Sequence, residues 1–245
     1  MNLKNKNKIS GRQYKRAVKF SFTFVQLLLL IACAKNSGLN TNAGNGNSAP
    51  TSSTAGDPGA NNGPVAAAQY LPLVWESSAN PERAAWSASA EQLVAQYLPS
   101  LDKAKDIATF CPKYSSLNQT QKINLWADLF AADSYFESGW DPANYSVDVG
   151  TQNDENTWSV GLLQMSVVDQ QNYNLPFGFN FANLQQPADN LQLAIAIMAQ
   201  QINKYGVVLI KSGQPGLYWS TMNPGGRDDQ TAGIVKMTEQ LSFCQ

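Results

Sequence analysis

The chain has 245 residues, 43% hydrophobic and only 14% charged, with 17 basic and 18 acidic side chains and no histidine. The missing imidazole excludes histidine metal sites, serine–histidine and cysteine–histidine nucleophiles, and histidine acid–base catalysis. Length allows one well-cored domain once the biased N-terminal segments are set aside.

Met1 to Lys19 carries seven Lys/Arg and no acid, and "FSFTFVQLLLLI", Phe20 to Ile31, follows as an apolar run of twelve. Such a run is too short to span a bilayer comfortably and suits the apolar core of an export signal. It ends in "LIAC", Leu30 to Cys33, which resembles the lipobox of bacterial lipoproteins. That resemblance implies a signal peptide over 1–32, a lipid on Cys33 as the first mature residue, and attachment to the membrane through it. Ala34 in place of an aspartate implies the outer membrane. Residues 33–64, nearly all Asn, Gly, Ser, Thr, Ala and Pro after the cysteine, bury too little apolar surface to order and are expected to form a tether. The domain is expected over 65–245.

Removing 1–32 leaves 10 basic against 18 acidic residues, a formal charge near −8. So acidic a surface makes nucleic acid an unexpected partner. With Cys33 lipidated, an oxidising compartment leaves Cys111 and Cys244 to pair as a disulfide.

Along the domain the pattern is helical. Asn80-Pro81 predicts an N-cap followed by proline at the first helical position, opening a helix toward Ala90. Ser89 caps a continuation, "AEQLVAQYL", that stops before Pro99. "NQTQKINLWADLFAADSYFE" starts near Asn118, with Gln121 completing a capping box, and ends at Gly139. Val147 to Trp158 reads as a long polar loop or small hairpin. Ser159 is expected to cap a helix over "VGLLQMSVVDQQ". Pro187 to Tyr205, closed by Gly206, has the strongest helical pattern, and a last helix covers roughly Thr231 to Leu241. The fold class is therefore mainly α.

One acid is conspicuous. Glu137, Asp133, Phe130, Trp126 and Ile123 share a stripe of the second long helix, while Leu125, Leu129 and Phe136 fill neighbouring faces, so the helix should be buried. A carboxyl at its C-terminal end meets both desolvation and the negative end of the helix dipole. Both favour the protonated form that a general acid needs.

Glu137-Ser138 is followed by "GLLQ", Gly161 to Gln164. This order resembles the soluble lytic transglycosylase (SLT) and goose-type lysozyme superfamily, with Leu163 in the place of a usual methionine. "PADNLQLAIAIMAQQINKYG" resembles the long helix of that family, and "GLYWSTMNPG" stands where its "AYNAG" segment lies. The resemblance implies a lysozyme-like helical domain with a small irregular or β loop beside the cleft. It also implies cleavage of the MurNAc-β-1,4-GlcNAc bond of peptidoglycan with Glu137 as acid and base. Ser138, Gly161, Gln164 and either Tyr218 or Trp219 would line the sugar site.

The sequence departs from these relatives in two ways. The Glu137-to-Gly161 interval is longer than usual and carries Asp148, Asp154 and Glu155, candidate second carboxylates for a hydrolytic lysozyme. The charge near −8 suggests a glycan less anionic than ordinary murein, such as one with deacetylated, amino-bearing glucosamine. A hydrolase on the same bond and a non-catalytic glycan-binding lipoprotein are the alternatives carried. No cofactor or metal is called for, and a monomer is expected.

Overall fold

The computed structural model describes residues 70–147, 150–211, 213–216 and 218–245. The signal, Cys33, the tether and Asp148 lie outside them.

Among the described residues, six α-helices and one two-stranded ribbon follow in chain order: α1 Arg83–Leu101, α2 Gln119–Ser138, β1 Tyr145–Ser146, β2 Ser159–Val160, α3 Asp169–Asn172, α4 Phe181–Leu184, α5 Pro187–Tyr205 and α6 Thr231–Thr238. The class is mainly α, as expected. Helix α1 packs against α5 and α2, α6 against α2, and α4 against α5. Leu125, Trp126, Leu129 and Phe130 of α2 and Leu191, Ile195, Ile197 and Met198 of α5 are all fully buried, which accounts for the near-continuous apolar character of both sequences.

The ends of α2 and α5 fall where the residue chemistry puts them. Asn118 accepts from the Gln121 N–H and Gln121 accepts in return, while Gly139 closes α2 at φ 68°. Pro187 opens α5 and Gly206 closes it at φ 75°.

Several expectations need correction. Asn80 does not cap α1: it pairs with Ser77 in a turn, and the helix begins at Arg83. From there α1 runs unbroken through Ser89, whose hydroxyl donates back to the Ala85 carbonyl, and includes Pro99. Pro99 has no N–H to give to the Ala95 carbonyl, so the last turn of α1 lacks that hydrogen bond.

No helix starts at Ser159. Ser159 and Val160 form β2, paired antiparallel with Ser146 and Tyr145, and Val160 and Met165 exchange backbone hydrogen bonds at 2.8 and 2.9 Å. Gly161 and Gln164 sit at φ 75° and 51°, and two left-handed residues in four prevent helical propagation. The apolar residues between them are buried in a tight turn, a pattern that periodicity cannot separate from helix. The expected hairpin thus brackets the polar loop.

Helix α6 stops at Thr238, whose hydroxyl donates to the Phe110 carbonyl at 2.8 Å. The chain then leaves the helix axis into a 3-10 turn, Ser242–Cys244, and the disulfide between Cys111 and Cys244 is present, as expected.

Residues 70–76 form a strap over α1 and α2 that turns at Leu73–Glu76. Asn124 takes both backbone groups of Leu71, and Asp128 accepts the Val74 N–H at 2.7 Å. Burial, with Glu76 nearby, pushes the Asp128 and Glu91 carboxyls up to about 7. A carboxyl raised above its unfolded range contributes stability that is complete below about pH 4 and lost as pH rises through its folded value. The domain should therefore melt at a higher temperature at pH 5 than at pH 8. Asp128→Asn should flatten that difference in thermal denaturation; an undiminished slope would contradict the assignment.

Candidate active site

The C-terminal end of α2 is fixed from three sides. Trp140 folds back so that its indole N–H donates to the Ala131 carbonyl at 2.8 Å. Asn144 donates to the Ser138 carbonyl at 3.2 Å, and the Asn144 carbonyl accepts the Gly161 N–H at 2.8 Å. The helix end, the ribbon and the Gly-Leu-Leu-Gln turn are therefore joined through one asparagine.

The turn is fixed in its own right. Asn190 of α5 accepts the Leu163 N–H and donates to the Val160 and Leu184 carbonyls. A β-carbon on Gly161 would stand 2.2 Å from the Leu184 carbonyl oxygen and 2.4 Å from Asn190 Nδ2. What comes close to Gly161 is thus the chain itself. Gly161→Ala combines that clash with a left-handed backbone and is expected to cost at least about 2 kcal/mol, read by chemical denaturation; a loss under about 0.5 kcal/mol would contradict the geometry. Gln164 is buried, donating to the Gly161 carbonyl at 3.0 Å, with the Asn144 carbonyl 3.4 Å away. A non-glycine residue held left-handed in a buried turn is a feature concentrated at ligand sites.

Glu137 is half-buried and directly precedes Ser138, whose carbonyl Asn144 ties to this turn. Its Oε1 is 3.0 Å from the Thr221 hydroxyl, and the same hydroxyl is 2.7 Å from Oδ1 of the fully buried Asp133. Thr221 belongs to the Trp219–Asn223 stretch, whose Trp219, Thr221, Met222 and Asn223 are buried. Ser138 is buried too, and its hydroxyl donates to the Ser134 carbonyl at 3.0 Å.

The paired aromatics separate cleanly. Trp219 is 2% exposed and donates to the Leu163 carbonyl at 3.1 Å, so it props the turn from inside. Tyr218 is half-buried, packs edge-on against Trp219 and Tyr173, and donates to Asp169. Of the two, Tyr218 is the one that keeps accessible surface. Across the ribbon, exposed Tyr145 stacks on Trp158 at 5.5 Å with Phe181 edge-on, an aromatic platform that sequence reading passed over.

Asp154 and Glu155 are exposed in the loop between the strands. Asp154 accepts from the N–H and side-chain amide of Asn156, capping a 3-10 turn. Among the described residues no cluster of metal-ligating side chains occurs. Sequence reading placed Asp133 on the Glu137 stripe without assigning it a part. Its spacing, four residues before the other acid on a buried helix, was the available signal. Thr221 carried none.

The mainly α fold is similar to lysozyme-like domains of the SLT type. Residues 115–213 match the family model of the Transglycosylase SLT domain, a family that acts on peptidoglycan glycan strands. Three solved structures of DslA are similar. The wild type (form 2) shares 28% identity at a TM-score of 0.60, covering 72% of this chain and 98% of that one. Two glutamate-to-glutamine mutants, at different positions of DslA, share 29% and 26% identity at TM-scores of 0.60 and 0.61. No curated protein matches the chain.

Proposed function

We propose that this protein cleaves the MurNAc-β-1,4-GlcNAc bond of peptidoglycan with Glu137 as general acid and then base, in the manner of a lytic transglycosylase. The observation that carries this reading is the placement of Glu137. It stands half-buried at the closed end of a buried helix, hydrogen-bonded to Thr221 and next to Ser138, whose carbonyl Asn144 ties to the strained Gly161–Gln164 turn. The Glu137 carboxyl gives its proton to the glycosidic oxygen as the C1–O bond breaks. The resulting carboxylate takes the proton of the muramic acid C6 hydroxyl, whose oxygen closes on C1 to leave a 1,6-anhydro end. Gln164 and Tyr218 border the sugar; Ser138, Gly161 and Trp219 hold the walls.

If water replaced the C6 hydroxyl, a second carboxylate would be needed to activate it. Asp148, Asp154 and Glu155 are the loop acids available, and the existence of mutants at two glutamates of DslA keeps that hydrolytic reading in view.

The exposed loop acids and the net charge near −8 after removal of 1–32 further favour glycan bearing glucosamine ammonium groups. The lipid on Cys33 would hold the domain in the envelope, at the outer membrane, acting as a monomer.

Matched acetylated and deacetylated sacculi test both levels. Soluble fragments from either sample support cleavage, and faster release from the deacetylated one, weakened by salt, supports the preference. Equal rates remove the preference alone; no release from either removes the cleavage.

A further inference from the structure

Three rings meet on the ribbon that leads into the Gly161–Gln164 turn. Tyr145 of β1 stacks on Trp158 with centroids 5.5 Å and planes 12° apart, and Phe181 of α4 stands edge-on to both at 5.8 and 5.9 Å. One face of Tyr145 thus lies on Trp158, yet the residue is 51% exposed, so its opposite face meets solvent. Val147, two residues on, is also exposed. Among the described residues Tyr135 is the one other large hydrophobic side chain so placed.

The rings are held before any ligand arrives. Strand pairing sets Tyr145 opposite Val160, and alternation puts Trp158, two residues before Val160, on the same face. The Trp158 indole N–H donates to the Thr151 carbonyl at 3.0 Å. Phe181 opens α4, whose start is fixed by the capping box of Asn180 and Asn183 and whose Leu184 carbonyl accepts from Asn190. Rings fixed in this way lose little freedom on binding. Packing alone does not account for Tyr145, because half of it stays in water.

We propose that this aromatic platform is a sugar-stacking subsite, in which the open face of Tyr145 receives the apolar face of a pyranose in the same glycan strand whose bond is cut at Glu137. The inference deepens the functional reading and rests on it. Position supports the assignment. Tyr145 directly follows Asn144, whose amide donates to the carbonyl of Ser138, the neighbour of Glu137, and whose own carbonyl takes the Gly161 N–H. Consecutive α-carbons are about 3.8 Å apart, so acid and platform are near enough for one strand to touch both.

Chemistry selects a sugar from the possible occupants. No Lys or Arg lies between Lys122 and Lys204, so the ribbon, its loop and α4 carry no cation for a phosphate or an acidic peptide. The loop between the strands offers the exposed Asp154 and Glu155 instead, which suit a neutral or amino-bearing hexosamine. A folded protein partner needs about 800 Å² on each side, more than one tyrosine face and one valine provide. A pyranose needs a single ring face. Its C–H groups meet the negative face of the aromatic ring, and its hydroxyls stay in water.

The test compares the wild-type protein with Tyr145→Ala, Tyr145→Phe and Tyr145→Trp on soluble glycan strands. Binding is measured with β-1,4-linked tetramers of N-acetylglucosamine and of glucosamine, titrated into proteins that also carry Glu137→Gln so that none is cut. Tyr145→Ala should weaken tetramer binding about fivefold to tenfold and raise KM on strands by a similar factor, with kcat little changed. Phenylalanine and tryptophan keep a ring face and should restore both. The Tyr145 ring resonances should shift when tetramer is added. Because the ring is exposed, the melting temperature should hold in all three variants, which separates lost binding from lost folding. Unchanged affinity and KM in Tyr145→Ala overturn the inference and leave the cleavage reading intact. Loss of binding in Tyr145→Phe as well overturns it, since the hydroxyl and not the ring face would then be the contact. A concentration-dependent dimer that Tyr145→Ala disperses would give the face to a second copy and overturn it too. If the wild type cuts no strand while tetramers still bind through the Tyr145 ring, the cleavage reading falls and the sugar site remains.

Discussion

Glu137→Gln is expected to abolish glycan-strand cleavage, lowering the rate by at least about a hundredfold and reaching ten-thousandfold if no other group supplies the proton. Glutamine keeps the size of the side chain and can still meet the Thr221 hydroxyl, which now lies 3.0 Å from Glu137 Oε1. It has no proton to give to a leaving oxygen. Because Glu137 is only half-buried, whereas the helix beneath it is held by residues such as Trp126, Leu129 and Phe130, the melting temperature should move by no more than a few degrees. Sedimentation with sacculi should be retained, since the turn and Tyr218 are untouched. Activity that survives the change would place the chemistry elsewhere. Loss of folding would make Glu137 a structural residue.

The largest effect on stability is expected from the disulfide. Cys111 and Cys244 are 133 residues apart in sequence, and both are buried. A crosslink closing so long a loop restricts the unfolded chain strongly, by about 4–5 kcal/mol in the chain-entropy model. It also holds the last 3-10 turn against the segment that precedes α2, where Thr238 reaches the Phe110 carbonyl. Replacing both cysteines with serine should lower the melting temperature on the order of 10 °C or more for a domain of this size, measured by calorimetry without reductant. An unchanged melting temperature would mean that packing around Phe110 and Thr238 already fixes the C-terminus.

Different parts of the molecule differed in how readily sequence disclosed them. The bounds of α2 and α5 could be read because each is written in local chemistry: a capping box at Asn118 and Gln121, a proline at 187, left-handed glycines at 139 and 206. The region after Ser159 could not. Leu162, Leu163 and Met165 are apolar at helical density, and nothing local announces that Gln164 adopts a positive φ or that Asn190, 27 residues beyond Leu163, holds the turn. Tertiary contacts overrode propensity there. At the start of α1 the Asn-Pro pair reads as a cap, whereas Asn80 is bound to Ser77. Motif order singles out Glu137, and Asp133 shows only as part of its stripe. Thr221, which completes the site, lies 84 residues from Glu137, a separation that no local pattern reports.

The central claim, that the domain breaks the glycan strand by acid–base action of Glu137 in the transglycosylase manner, is tested most directly by weighing what the purified protein releases from sacculi. The account predicts muropeptides lighter by one water than their hydrolysed counterparts, carrying 1,6-anhydro ends and absent when Glu137→Gln protein is used. Release of fully hydrated reducing ends would contradict the lyase chemistry, and no release at all would contradict glycan cleavage itself.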